Sequence, residues 1–178
     1  LRLDPEFMSA SFTSASGPAH AVSYGLVGLL AIALVVAALT DIRRRQIDNW
    51  LTGGLALIAP LYWWAAGLDG HAIALQAGIA IATLGVLWAM FAAGLMGGGD
   101  VKLLTALALW VHPTAFGKLV VLMAFLGGAL SLFLGAWHLA RRRGDRLTVP
   151  YGVAISGAGL WALANEYLPF LPGAALTG

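Results

Sequence analysis

The chain has 178 residues; 60% are hydrophobic, only 10% are charged, the net charge is +2 and there is no cysteine. Soluble domains carry about 25% charged residues, so this composition excludes an ordinary water-facing surface and points to a chain embedded in lipid. At roughly 20 apolar residues per span, the length holds about six spans and no globular ectodomain. The missing thiols exclude disulfides, thiolate zinc or iron–sulfur sites and a cysteine nucleophile. The basic residues form two tight clusters rather than a stripe, which argues against nucleic acid as a partner and for orientation signals.

In chain order, residues 1–7 (LRLDPEF) precede Met8 and read like a cloning remnant. Residues 8–21 form a flexible lead rich in Ser, Ala and Gly; without Lys or Arg, it lacks the basic start of a signal peptide. A single membrane domain is expected over 22–168 and an irregular tail over 169–178, which opens on Pro169. The first span is expected at Val22–Thr40, closed by Asp41 and followed by Arg43, Arg44 and Arg45. The second runs over Trp50–Gly67, with Pro60 as a kink. The third covers Ala72–Leu95 and leads into Gly97, Gly98, Gly99 and Asp100. The fourth apolar run, Val101–Val111, has 11 residues. As a helix it measures about 16 Å, half of a bilayer core of about 30 Å. His112-Pro113 ends it, Thr114–Leu139 forms the fifth span, and Pro150–Leu168 forms the sixth. The predicted fold is therefore all-α: a polytopic integral membrane protein with six transmembrane helices, the fourth short, and the N-terminus outside.

Charge asymmetry supports this layout. Arg43–Arg45, Lys102, Arg141–Arg143 and Arg146 then fall on the cytoplasmic side, against Lys118 alone on the other. Those arginines are expected to orient the chain and to contact anionic lipid. Trp50, Trp110 and Trp137 are expected near the interfaces, and Trp88 nearer mid-span. Small residues within the spans, among them Gly53, Gly54, Gly78, Gly85, Gly127, Gly128, Gly157 and Gly159, are expected at close helix contacts.

The acids are few enough to weigh singly. Asp69 and Asp145 are expected in solvent, Glu166 to snorkel at the outer end of the sixth span, and Asp48 to cap the second helix. Asp41 and Asp100 remain. Both lie at the inner end of an apolar run, where an ionisable group is costly and marks function. Two carboxylates at one depth can share a proton, so that one acts as general acid while the other activates water. The glycines before Asp100 allow the backbone to bend and approach a substrate. The short helix expected to start at Asp100 favours negative charge there, as does nearby Lys102.

The segment Gly97-Gly98-Gly99-Asp100-Val101-Lys102-Leu103 resembles the GxGD motif of intramembrane aspartyl proteases. Asp41, Ile47 and Asn49 resemble, in identity and spacing, the other catalytic segment of the type IV prepilin peptidases. Val149-Pro150-Tyr151-Gly152-Val153-Ala154-Ile155 is similar to their third recurrent segment. The combination resembles the short form serving tight-adherence (Flp) pilus systems. The resemblance implies an aspartic endopeptidase of the bacterial inner (cytoplasmic) membrane. Its site would lie at the cytoplasmic side and cut the basic leader from prepilins or pseudopilins. It also implies Asp41 and Asp100 as the catalytic pair, with Gly97, Gly98, Gly99, Lys102, Ile47, Asn49, Pro150, Tyr151 and Gly152 lining or supporting the site. No metal and no cofactor are expected. Asp48 departs from the pattern, standing where the family usually has Pro. Bifunctional relatives carry a cytoplasmic domain, often with a cysteine tetrad; lacking both, this chain is expected to have no methyltransferase activity.

Other classes fare less well. Ser156 in Ala154-Ile155-Ser156-Gly157 faintly resembles a rhomboid serine, but no histidine follows it to take the proton. There is no His-Glu-x-x-His, His71 and His112 fall on the outer side, and His138 stands alone. A small proton-coupled transporter would also use paired intramembrane carboxylates and a broken helix, but both acids lie at one face and no repeated halves are visible. A purely structural assembly subunit leaves the two acids unexplained.

Overall fold

The computed structural model describes residues 18–140 and 151–167. Six α-helices account for most of these residues: α1 (Pro18–Arg44), α2 (Asn49–Ala65), α3 (Gly70–Ala92), α4 (Gly98–Ala108), α5 (Pro113–Ala140) and α6 (Tyr151–Tyr167). Three stretches, Ala21–Arg44, Gly70–Ala92 and Pro113–Trp137, are long and apolar enough to cross a membrane. Residues 8–17 of the expected lead, the expected tail, Pro150, Asp145 and the arginines at 141–143 and 146 lie outside the described residues, as does the side chain of His138; residues 18–21, expected in the lead, already belong to α1.

The helix order matches the expected spans, and the boundaries shift for local reasons. α1 continues through Asp41 to Arg44, so Asp41 lies inside the last turn rather than closing the helix. Arg45 then takes φ 53° and donates its backbone N–H to the Asp41 carbonyl at 2.8 Å. A left-handed residue after the last turn satisfies an otherwise orphaned carbonyl and turns the chain sharply. α3 ends in the same manner at Gly94 (φ 73°): Gly94 donates to Phe91 O at 2.9 Å and Leu95 to Met90 O at 2.9 Å. α2 runs through Pro60 without a break. Asp69 is exposed as expected but also does local work, accepting from Ala72 N at 2.7 Å to cap α3.

The short α4 is the centre of the bundle. It packs against α2, α3, α5 and α6, and Val101, Leu103, Leu104, Ala106, Leu107 and Ala108 are buried along it. α6 lies between α1 and α5. By contrast α3 and α5 turn most of their surface outward, including Ile81, Val86, Trp88, Phe125, Leu132 and Phe133. An apolar outward face is what a lipid-facing helix requires.

Two expectations change here. Trp110 does not point outward as an interfacial anchor would: it is 2% exposed, stacks on Tyr62 at 5.1 Å between ring centroids, and donates its indole N–H to Leu55 O at 2.9 Å. Trp63, donating to Leu109 O, and Gln76, donating to Val111 O, satisfy carbonyls at the C-terminal end of α4. Trp110→Ala is expected to lower stability by about 3–5 kcal/mol, read as the unfolding midpoint in detergent micelles. Glu166 does not snorkel freely; it is half-buried and its Oε2 is a buried atom without a hydrogen-bond partner.

Close packing explains some small residues and not others. A Cβ on Gly127 would meet the Tyr151 ring at 2.8 Å, and one on Gly159 would meet Leu34 at 2.9 Å. Nothing lies within 4 Å of the corresponding position at Gly53, Gly54, Gly78, Gly85 or Gly128. Those five do not serve helix contacts within the described chain.

Candidate active site

The site is built where three helix ends meet. α1 brings Asp41 in its last turn, α4 brings Asp100 in its first, and α6 begins beside them at Tyr151. Both carboxylates line one open cavity of about 810 Å3, together with Arg45, Ile47, Asp48, Asn49, Gly97–Gly99 and Tyr151. The two acids are within electrostatic reach of each other.

Ile47 explains how these pieces hold together. It is 8% exposed. A Cβ on Gly99 would meet its Cβ at 3.1 Å, and one on Gly152 would meet its Cδ1 at 3.0 Å. The isoleucine is thus a wedge between the first turns of α4 and α6, and both helices carry glycine where it inserts. Neither glycine leaves room for a methyl group without a shift.

The glycine run has a different physical role from the flexible bend expected of it. Irregular backbone is confined to Ala93–Gly97; α4 starts at Gly98, not at Asp100. Gly97 is the N-cap and has no side chain to offer the helix end. Asp100, three residues on, turns its carboxylate back to the Gly97 N–H, the return half of a capping box. A Cβ at Gly97 would stand 3.0 Å from Asp100 Oδ2, and one at Gly98 would stand 3.3 Å from the Phe91 ring. Each glycine is matched to a close neighbour.

Asp41 is 6% exposed. The backbone amides of Gly152 and Val153 face its carboxylate, and Arg45 adds a positive field. Its Oδ2 is buried and has no hydrogen-bond partner. Gly152 is close enough that a Cβ there would stand 2.8 Å from that oxygen. Tyr151 is held in place by Ser131, its hydroxyl 2.9 Å from Ser131 Oγ, while Ser131 donates to Gly127 O at 2.7 Å.

Of the other residues expected at the site, Asn49 lines the cavity and its Oδ1 accepts from Lys102 Nζ at 2.8 Å. Lys102 itself stands on the outer face of α4, beyond the cavity wall. Asp48 occupies the N-cap position of α2, but its side chain makes no cap hydrogen bond; it borders the cavity. Arg45, Gln46, Gly94, Leu95 and Met96 also line the cavity and are not among the site residues expected from the sequence. Arg45 belongs to a cluster whose charge already has a topological reading, so only its backbone geometry singles it out. Among the described residues no group of three or more His, Asp or Glu side chains is placed to hold a metal ion. Ser156 Oγ is buried, with no hydrogen-bond partner, far from any role as an exposed nucleophile.

The sequence model of the type IV leader peptidase family matches residues 28–138, more than half of the chain. That match includes both Asp41 and Asp100. No curated protein and no solved structure matches the chain significantly.

Proposed function

We propose, for a chain that belongs to the type IV leader peptidase family, that it is an intramembrane aspartic endopeptidase that removes the basic leader from prepilins of the Flp type. In this reading all six helices are embedded, the N-terminus is outside, and the Asp end of the bundle faces the cytoplasm of a bacterial inner membrane. The observation that carries it is the convergence of Asp41 and Asp100, from different helices, on one open cavity. Paired carboxylates of this kind hydrolyse amides without a metal. The ionised member takes a proton from water as the water oxygen bonds to the scissile carbonyl carbon. The protonated member gives its proton to the carbonyl oxygen as the π pair moves there. Collapse of the tetrahedral species breaks the C–N bond as the proton taken from water passes to the leaving nitrogen, and one hydroxyl proton returns to the other carboxylate as the C=O bond re-forms. The pair titrates as a unit, so the roles belong to the dyad rather than to a fixed residue.

The proton-coupled carrier left open by the sequence gains no observation of its own. Co-expression with a Flp-type prepilin tests the proposal: a gel shift and a new N-terminus at the leader junction are expected, and an intact leader rejects it. Asp48→Asn is expected to change kcat/KM by less than about tenfold, since that acid only adds to the local field. Complete loss of cleavage would transfer the catalytic role in the first segment from Asp41 to Asp48.

A further inference from the structure

Asn49 borders a second hollow as well as the Asp cavity. This groove, of about 330 Å3, runs between α2 and α4. Thr52, Gly53 and Ala56 form one wall, Thr105 and Ala106 the other, and Leu84 of α3 flanks it. α3 packs on α4 rather than on α2, which leaves the groove open to the outside of the bundle. Small side chains are what allow a helix to approach another closely in lipid. Gly53 is exposed, and nothing lies within 4 Å of the position its Cβ would take. No contact inside the described chain accounts for that glycine.

The lip of the groove is charged. Lys102 lines it, and its ammonium donates to the neutral amide of Asn49 at 2.8 Å. An ammonium has three donors, and this bond uses one. Because Asn49 belongs to both hollows, the Lys102–Asn49 pair marks the passage from the groove to the two carboxylates. An apolar helix laid in the groove would strip water from Lys102. A desolvated ammonium is costly unless a counter-charge accompanies it.

The geometry points to a substrate-recognition site that rests on the peptidase reading. The α2–α4 groove receives the apolar helix on the C-terminal side of the cut, and Lys102 pairs with a carboxylate at the start of that helix. Charge complementarity selects this half of the substrate: Lys102 at the lip of the groove repels a basic leader.

The test uses the full chain reconstituted in phosphatidylethanolamine–phosphatidylglycerol vesicles. Synthetic substrates carry a prepilin leader and junction followed by an uncharged apolar helix, with one Glu or Gln moved through its first residues. The wild type is expected to show a kcat/KM maximum at one Glu position, about 30-fold above Gln there. Lys102→Glu is expected to lose that maximum and to prefer Lys at the same position. Gly53→Leu, which improves helix propensity, is expected to raise KM about tenfold by filling the groove. Leu57→Trp, on the outward face of α2, is expected to leave KM unchanged. A flat Glu scan, or equal KM for Gly53→Leu and Leu57→Trp, in an enzyme that cleaves these substrates overturns the groove assignment and leaves the peptidase standing. A wild type that cleaves none of them overturns both.

Discussion

Asp41→Asn and Asp100→Asn are each expected to reduce prepilin cleavage by about 10³-fold or more, the scale of losing a positioned acid or base. The loss should appear in kcat, because neither substitution changes the shape of the cavity. Stability gives the second half of the expectation. Asp41 is buried with one carboxylate oxygen unpartnered, so a neutral amide of the same size relieves a desolvated group. The Asp41→Asn protein should therefore unfold no earlier than the wild type while losing its activity. That pattern separates catalysis from folding, since a structural acid would lose both together. Asp69→Asn is the matched control: Asp69 is exposed and caps α3 away from the cavity. It should cleave normally. Normal cleavage by either dyad variant would reject the assignment.

The sequence is most legible where an energetic penalty is large and local. Asp41 and Asp100 stand out because an acid at the edge of an apolar run is costly wherever the helices go. The order of the six helices is legible for a similar reason, since each apolar run ends at Gly, Pro or a charge. What stays hidden is which apolar residue faces protein and which faces outward. Leu30 and Leu34 are fully buried and Ile32, between them, is 64% exposed, yet all three are equally hydrophobic. In water a polar face would have marked the exposed side; in lipid both sides are apolar. The burial of Trp110 is hidden by the same ambiguity, because a tryptophan with one polar atom suits either an interface or a buried carbonyl partner. Glycines mislead in another way. Gly99 and Gly152 look like flexible punctuation, but their purpose depends on Ile47, which lies far from both in the chain.

Gly152→Ala is accordingly the substitution whose effect is least visible in the sequence. The added methyl would lie 2.8 Å from Asp41 Oδ2, 2.9 Å from its Cγ and 3.0 Å from Ile47 Cδ1. Contacts that short require a shift. Either the Asp41 carboxylate turns away from the Gly152 and Val153 amides, or α6 retreats and Ile47 loses its seat between α4 and α6. Both routes move a carboxylate relative to its partner, and displacement of about 1 Å at a reacting group costs about 10²-fold in rate. We therefore expect kcat to fall by about that factor with KM little changed. Stability should move far less. In the first turn of α6 alanine gains less than the roughly 1 kcal/mol it gains in a helix interior, which offsets a small part of an overpacking penalty of about 1–3 kcal/mol. Gly157→Ala supplies the contrast on the same helix. Its methyl would meet only Leu126 Cδ1, at an ordinary 3.9 Å, so activity should persist and the unfolding midpoint should rise. If the two variants behave alike in single-turnover cleavage, contact between α6 and Asp41 does not position the acid. If only Gly152→Ala loses kcat, the missing side chain at residue 152 is part of how the dyad is held.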